Sequence, residues 1–317
     1  MKKTLALVLV LMLVCGFGAS ALADYTFTTG GSAGTYYAFG GVLAQYITDN
    51  TDISVTAVTG EGSAANVDML DMGFADLGFV QSDVAYYAYN GINFDQYIGK
   101  PITSFKAVAA LYNETVQLVT CNPEIKSMDD LKGKNISIGA AGSGVFFNAM
   151  DFLAAYDMTI DDINPQYLSF ADSADALKDG KIDAAFVVAG APTTAVVDLC
   201  ATKGAYLVSL DDEHVAKLKE INGAYTECPI PAGTYEGIDE DALTVAVKAI
   251  IICNDNVSED DAYNIVSTIF ENVDDIAAAH AKGNELDLAY ASECGIPYCA
   301  GAAKYFAEKG IEVTVAD

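Results

Sequence analysis

Two stretches of the chain, YTFTTGGSAGTYYAFGGVLAQYI from Tyr25 and NISIGAAGSGVFFNAMDFLAAY from Asn135, spell the same unit: a β-rich run, a glycine-serine loop, an aromatic pair and an amphipathic helix. A chain that writes this unit twice, about 110 residues apart, is expected to build two similar α/β lobes. Each lobe would direct a helix N-terminus at a shared space. Single strand-glycine-helix turns occur in any α/β protein, so the echo needs support from the rest of the sequence. That support is alternation. Strands are expected at residues 25–28, 53–58, 77–80, 105–111, 116–121, 136–139, 184–188, 205–208 and 244–253, and helical spacing is clearest at 37–47, 65–72, 146–155, 174–178, 214–221, 259–270 and 302–309. This pattern predicts α/β layers rather than a sandwich or a bundle. No long linker interrupts it, so the lobes must be joined by short crossings.

Residues 1–23 begin with Lys2-Lys3, continue through an apolar run at 5–14 and end in Ala21-Leu22-Ala23. This is the pattern of a signal peptide cleaved before Asp24, and it places the mature protein in the periplasm or another extracytoplasmic space. Lipidation at Cys15 is the rival, but Val14 stands where a lipobox needs a small residue. Removing residues 1–23 from the 317 leaves 294, too many for one ordinary core and comfortable for two lobes. The 44 acidic residues outnumber 16 basic ones, for a net charge of −28. Such a surface repels nucleic acid and anionic membranes, which excludes both as partners. Every basic residue is a lysine. Without arginine there is no guanidinium fork for a buried carboxylate, and any bound anion must rely on lysine, hydroxyls, amides or helix N-termini.

Six cysteines follow the leader: Cys121, Cys200, Cys228, Cys253, Cys294 and Cys299. An even number in an exported chain predicts disulfides, and of the 15 possible pairings the local Cys294–Cys299 bridge around Gly-Ile-Pro-Tyr is the expected one. No Cys-x-x-Cys occurs and only His214 and His280 are available, so no metal site is expected.

The motif Gly30-x-Ser32-x-Gly34 follows a strand and precedes a helix, the setting of a nucleophile elbow. Here, however, it follows the first strand of the mature chain, before any strand could have supplied an oxyanion-hole amide. The two histidines sit in charged helical patterns typical of solvated faces. A serine hydrolase using Ser32 therefore stands only as an alternative. Three loops, at 31–35, 60–66 and 142–144, combine glycines with hydroxyls ahead of a helix, which suits anion binding by backbone amides. None is a Walker loop or Gly-x-Gly-x-x-Gly, so no nucleotide cofactor is expected. Gln81-Ser82-Asp83 ends an apolar strand, where ligand groups sit in open α/β sheets, and Ser82 or Asp83 also suits a helix cap.

GGSAGTYYAFGGVLAQYI, VTGEGSAANVDMLDMGFADLGFVQSDVAYYAYNG, DLKGKNISIGAAGSGVFF, FVVAGAPTTAV and IPAGTYEGIDEDALTVAV together resemble the TAXI family, the extracytoplasmic solute receptors of TRAP transporters. The resemblance implies a type II periplasmic-binding-protein fold with a ligand cleft between its lobes. Lobe one would be residues 24–114 plus 241–317 and lobe two 115–240, with crossings near 112–116 and 241–245. It also implies a monomer without a cofactor that captures a small carboxylate, such as glutamate or a related dicarboxylate, and delivers it to an ion-driven TRAP permease. An ABC importer receptor is the alternative within the same fold. Carried over residue by residue, the ligand contacts would be Ser32, Gly34, Thr35, Tyr36, Ser63, Ala64, Gln81 and Ser82 from one lobe, and Ser143, Gly144, Ala191, Pro192 and Thr193 from the other. Val145 departs from the pattern, which often has threonine there.

Overall fold

In the computed structural model, which describes residues 23–316, ten strands form one sheet. In chain order they are β1 (Ala23–Thr28), β2 (Ile53–Val58), β3 (Leu77–Gln81), β4 (Phe105–Thr120), β5 (Asn135–Ser137), β6 (Asn164–Gln166), β7 (Ala184–Ala189), β8 (Tyr206–Leu207), β9 (Thr226–Glu227) and β10 (Val245–Asn254). Cys15 and nearly all of the expected leader lie outside the described residues. The main strand order is β2-β1-β3-β10-β4-β7-β5-β6. At one side β1 pairs in parallel with β2 and β3, and at the other β5 pairs in parallel with β6 and β7. Between these halves run β4 and β10, antiparallel to each other and to β3 and β7. Strands β3 and β7, LGFVQ and AAFVVA, are buried throughout. Both faces of the sheet are covered there, which is why they read as continuous rather than alternating apolar runs.

The halves have separate cores. Phe27, Phe39, Phe79, Ile250 and Ile265 belong to the first, whereas Phe152 and Phe186 sit in one cluster of the second and Leu199 and Tyr235 in another. Strand β4 contributes Tyr112 to the first lobe and Val116 to the second, and β10 makes the same passage between Ala249 and Val247. The two crossings are thus neighbouring strands, not loops. The resemblance put the later crossing near 241–245, but Ala242, Val245 and Val247 all pack in the second lobe.

Helices follow the strands: α1 (Thr35–Asn50), α2 (Ser63–Asp71), α3 (Ser82–Asn90), α4 (Val145–Ala155), α5 (Phe170–Lys178), α6 (Thr194–Thr202) and α7 (Asp212–Ile221). Helix α1 buries Tyr36, Phe39, Leu43 and Ile47, the three- and four-residue spacing that lays one face on a sheet. Helix α4 belongs to the second lobe, yet its Phe147 packs in the first lobe's core. Its ring centroid lies 4.3 Å from that of Phe94 and 6.1 Å from that of Tyr97. Among the described residues no helix is long and apolar enough to cross a membrane.

All six cysteines of the described chain are free thiols. The bridge expected between Cys294 and Cys299 is not formed. Tyr298 between them is held extended by bridges to Ala107 and Val315, and this sends the two thiols to different neighbours. Cys294 Sγ donates to the Ala291 carbonyl at 3.7 Å, while the Cys299 thiol turns to Cys253 on β10.

Candidate functional site

Four helix N-termini meet at one cavity of about 330 Å³, those of α1 and α2 from the first lobe and of α4 and α5 from the second. Glycines make this convergence possible. A Cβ on Gly144 would lie 1.4 Å from Gln81 Oε1 and 2.9 Å from Ser63 Oγ, so only a bare backbone lets α4 approach β3 and α2. Gly62, at φ +102°, brings its own backbone to Ser143, where a Cβ would be 3.3 Å from the Ser143 Cα. The lobes touch on both rims. Ala65 N donates to the Gly142 carbonyl at 2.9 Å, and on the opposite rim Thr35 Oγ1 donates to the Gly190 carbonyl at 3.1 Å.

Of the positions expected to bind ligand, Ser32, Gly34, Thr35, Tyr36, Ser63, Gln81, Ser143 and Gly144 line this cavity. The others do not. Ala64 is packed in the first lobe's core. Ser82 Oγ accepts from the Lys248 amide at 3.1 Å and faces a different hollow. Ala191 packs against a second-lobe cluster and Pro192 is exposed. Thr193 is buried, and its Oγ1 donates to the Gly190 carbonyl and accepts from Gln117 Nε2. The hydroxyl that the motif suggested for the ligand is therefore spent on holding the chain between β7 and α6.

Residues that sequence reasoning missed include Ser169, Phe170 and, above all, Glu114. Its signal was available: the lone acid of the crossing strand, just after the apolar run that ends at Tyr112. Glu114 is 2% exposed, and its Oε2 accepts from the Tyr36 hydroxyl at 2.7 Å. Burial pushes its carboxyl up to about 8; the nearby Asp83 adds to this, while the Tyr36 hydrogen bond and Lys282 oppose it. Among the described residues no lysine or histidine lines the cavity. Lys282 lies behind it, paired with Glu285.

The histidines do not occupy the solvated faces expected of them. His214 stacks on Tyr156 at 3.5 Å and pairs with Asp211, and His280 lies 5.1 Å from the Phe39 ring. Neither lines the cavity, so neither histidine is placed to act on Ser32.

From Gln81 a buried polar chain runs across the lobe boundary. Gln81 Nε2 donates to Asn148 Oδ1 at 2.8 Å; Asn148 Nδ2 donates to Asp83 Oδ2 at 3.0 Å and to the Tyr225 hydroxyl at 2.8 Å. Tyr225 in turn donates to Asp151 Oδ2 at 3.0 Å. Burial, with the charge of Asp151, raises Asp83 to about 7, and burial raises Asp151 to about 6. Both lie above the value of an unfolded aspartate. Their contribution is therefore fully present below about pH 4 and is lost as pH rises through 6 to 7. Surface aspartates such as Asp130 and Asp162, whose carboxyls backbone amides hold low, act in the opposite sense at acid pH. Thermal unfolding followed by circular dichroism is expected to give a Tm that peaks near pH 5 and falls toward pH 8, and replacing Asp83 with Asn should flatten the fall.

Two α/β lobes, a pair of crossing strands and a polar cleft closed from both sides define a periplasmic-binding-protein-type fold. Residues 27–310 match the NMT1-like family, and the chain belongs to that family. Solved structures with the same fold include the alkanesulfonate-binding protein SsuA from Xanthomonas axonopodis pv. citri bound to MOPS, at 16% identity, TM-score 0.50 and 90% coverage of each chain. A protein from Bordetella bronchiseptica RB50 aligns at 18% identity and TM-score 0.54, over 90% of this chain and 89% of its own. A protein from Listeria monocytogenes provisionally assigned as an L-cystine ABC transporter aligns at 16% identity and TM-score 0.50, over 84% and 98%.

These findings correct the TAXI resemblance. The matching family is the NMT1-like one, and the solved neighbours include an alkanesulfonate-binding protein and a protein assigned to an ABC transporter, so neither the TAXI assignment nor the TRAP permease is retained. Glutamate or a dicarboxylate as ligand is set aside with them. The cleft itself disfavours a dianion, since it offers a buried acid and no basic side chain.

Proposed function

We propose that the protein is the solute-binding component of an ABC importer, closing over a small polar ligand outside the cytoplasm and presenting it to membrane subunits. The observation that carries this reading is the convergence of four helix N-termini from two lobes on one cavity. Partial positive charge at helix ends suits an anionic group, and about 330 Å³ is at the small end of ligand pockets. The neighbours support this reading: one is an alkanesulfonate-binding protein and another is assigned to L-cystine. The eight sequence-expected residues that line the cavity are assigned to the ligand, which is bound and not chemically changed. A thermal-shift screen of sulfonates and amino acids should yield a ligand that raises Tm. At a hundredfold excess over Kd the stabilisation should be about 2.7 kcal/mol. Labelling of Ser32 by a fluorophosphonate, with ester hydrolysis lost in Ser32→Ala, would overturn the reading in favour of a hydrolase.

A further inference from the structure

Glu114 is unusual in its setting. It stands on a crossing strand, at the junction of the two cores and on the wall of the cavity. Only one of its oxygens has a partner among the described residues: Oε2 accepts from Tyr36, while Oε1 accepts from no side chain or amide. That second oxygen is not sealed off: it is open to the cavity, where a ligand donor can reach it. The helix ends around it are unsatisfied in the opposite sense. The N-caps of α1, α2 and α4 are Gly34, Gly62 and Gly144, and none supplies a side-chain cap. One cavity therefore holds a buried acid and a set of free amide donors, with no cationic side chain between them.

From this arrangement we infer that the ligand is a small zwitterion, whose ammonium group is held by Glu114 and Tyr36 and whose anionic group is held by the amides that open α1 and α4. The inference rests on the solute-binding reading above and narrows it to a ligand class. A simple anion would leave Glu114 without a counter-charge, and a simple cation would leave the helix ends empty. Before a ligand arrives, burial pushes the Glu114 carboxyl up to about 8 and keeps it largely protonated at pH 7. An arriving ammonium ionises it, so binding releases close to one proton. The charged groups that act on Glu114 from its surroundings are Asp83 and Lys282. Lys282 is itself engaged by Glu285 and lies outside the cavity lining.

The test pairs amines with their deaminated counterparts: taurine against ethanesulfonate, and glycine, alanine and serine against acetate, propionate and glycerate. Calorimetry on the full mature protein at pH 7, in two buffers of different ionisation enthalpy, counts protons. The expected result is that an amine binds, that its counterpart binds on the order of 100-fold more weakly, and that proton release occurs only with the amine. Glu114→Gln, which copies the neutral acid in shape, should retain the wild-type Tm without ligand and lose amine affinity by a similar factor. If the deaminated compound binds as well as the amine, or Glu114→Gln keeps full amine affinity, the zwitterion is overturned while the solute-binding reading stands. If no pair yields a binding compound, the zwitterion falls, and the solute-binding reading is decided by the wider thermal-shift screen. The proton count comes from the wild-type protein and does not depend on how Glu114→Gln folds.

Discussion

Gly144→Val should abolish ligand binding while leaving each lobe folded. A Cβ at this position would fall 1.4 Å from Gln81 Oε1 and 2.5 Å from its Cδ. Gln81 is tied through its amide to Asn148 and borders the cavity. The clash is relieved by driving Gln81 into the ligand space or by keeping the second lobe away from β3, and either change removes ligand contacts. Losing the closed population lowers apparent affinity in proportion, here on the order of 1000-fold, or about 4 kcal/mol. Small-angle scattering should show a larger radius of gyration with or without ligand, and calorimetry should show no saturable binding. Wild-type affinity in the variant would mean that α4 and β3 do not approach each other when ligand is bound.

The second large effect is on stability. Asn148 is fully buried and spends its whole amide on three partners: Gln81, Asp83 and Tyr225. Asn148→Ala strips a donor from Asp83 and the acceptor from Gln81, leaving polar groups unpaired at the lobe boundary. Each such group costs about 1–3 kcal/mol, so a loss of about 4 kcal/mol is expected, with Tm lower by roughly 6 °C for a protein of this size. Asn148→Asp should be no better, because it places a third carboxyl beside Asp83 and Asp151. A Tm within a degree or two of wild type for Asn148→Ala would show that water replaces the amide at no cost.

Much of the fold was legible because the signals are local. Apolar runs such as LGFVQ and AAFVVA mark strands covered on both faces, and the glycine-serine loops mark where helices begin. The paired unit that opens with TTGGSAG and recurs as GAAGSG does place one helix N-terminus from each lobe at a shared cleft. What was not legible depends on how distant elements meet. Glu114 reads as one acid in a strand until β4 is seen to form the cleft wall. Thr193 carries a hydroxyl in a suggestive loop, but Gln117 of β4 claims it. The spacing of Cys294 and Cys299 permits a bridge that the extended Tyr298 prevents. The transporter class was misread for a related reason. The loops that carried the resemblance encode a cleft, and the membrane partner leaves no mark on them.

Phe147 bears on time rather than affinity. Because its ring is seated among Phe94 and Tyr97 of the opposite lobe, the cleft cannot part without first drawing an aromatic side chain into water. That step removes roughly 2 kcal/mol of apolar burial. If all of it is lost before the barrier is crossed, opening slows by about 30-fold. The lifetime of the loaded state is then set by a contact that never touches the ligand. A docking surface able to draw Phe147 out would trigger unloading without competing for the cleft.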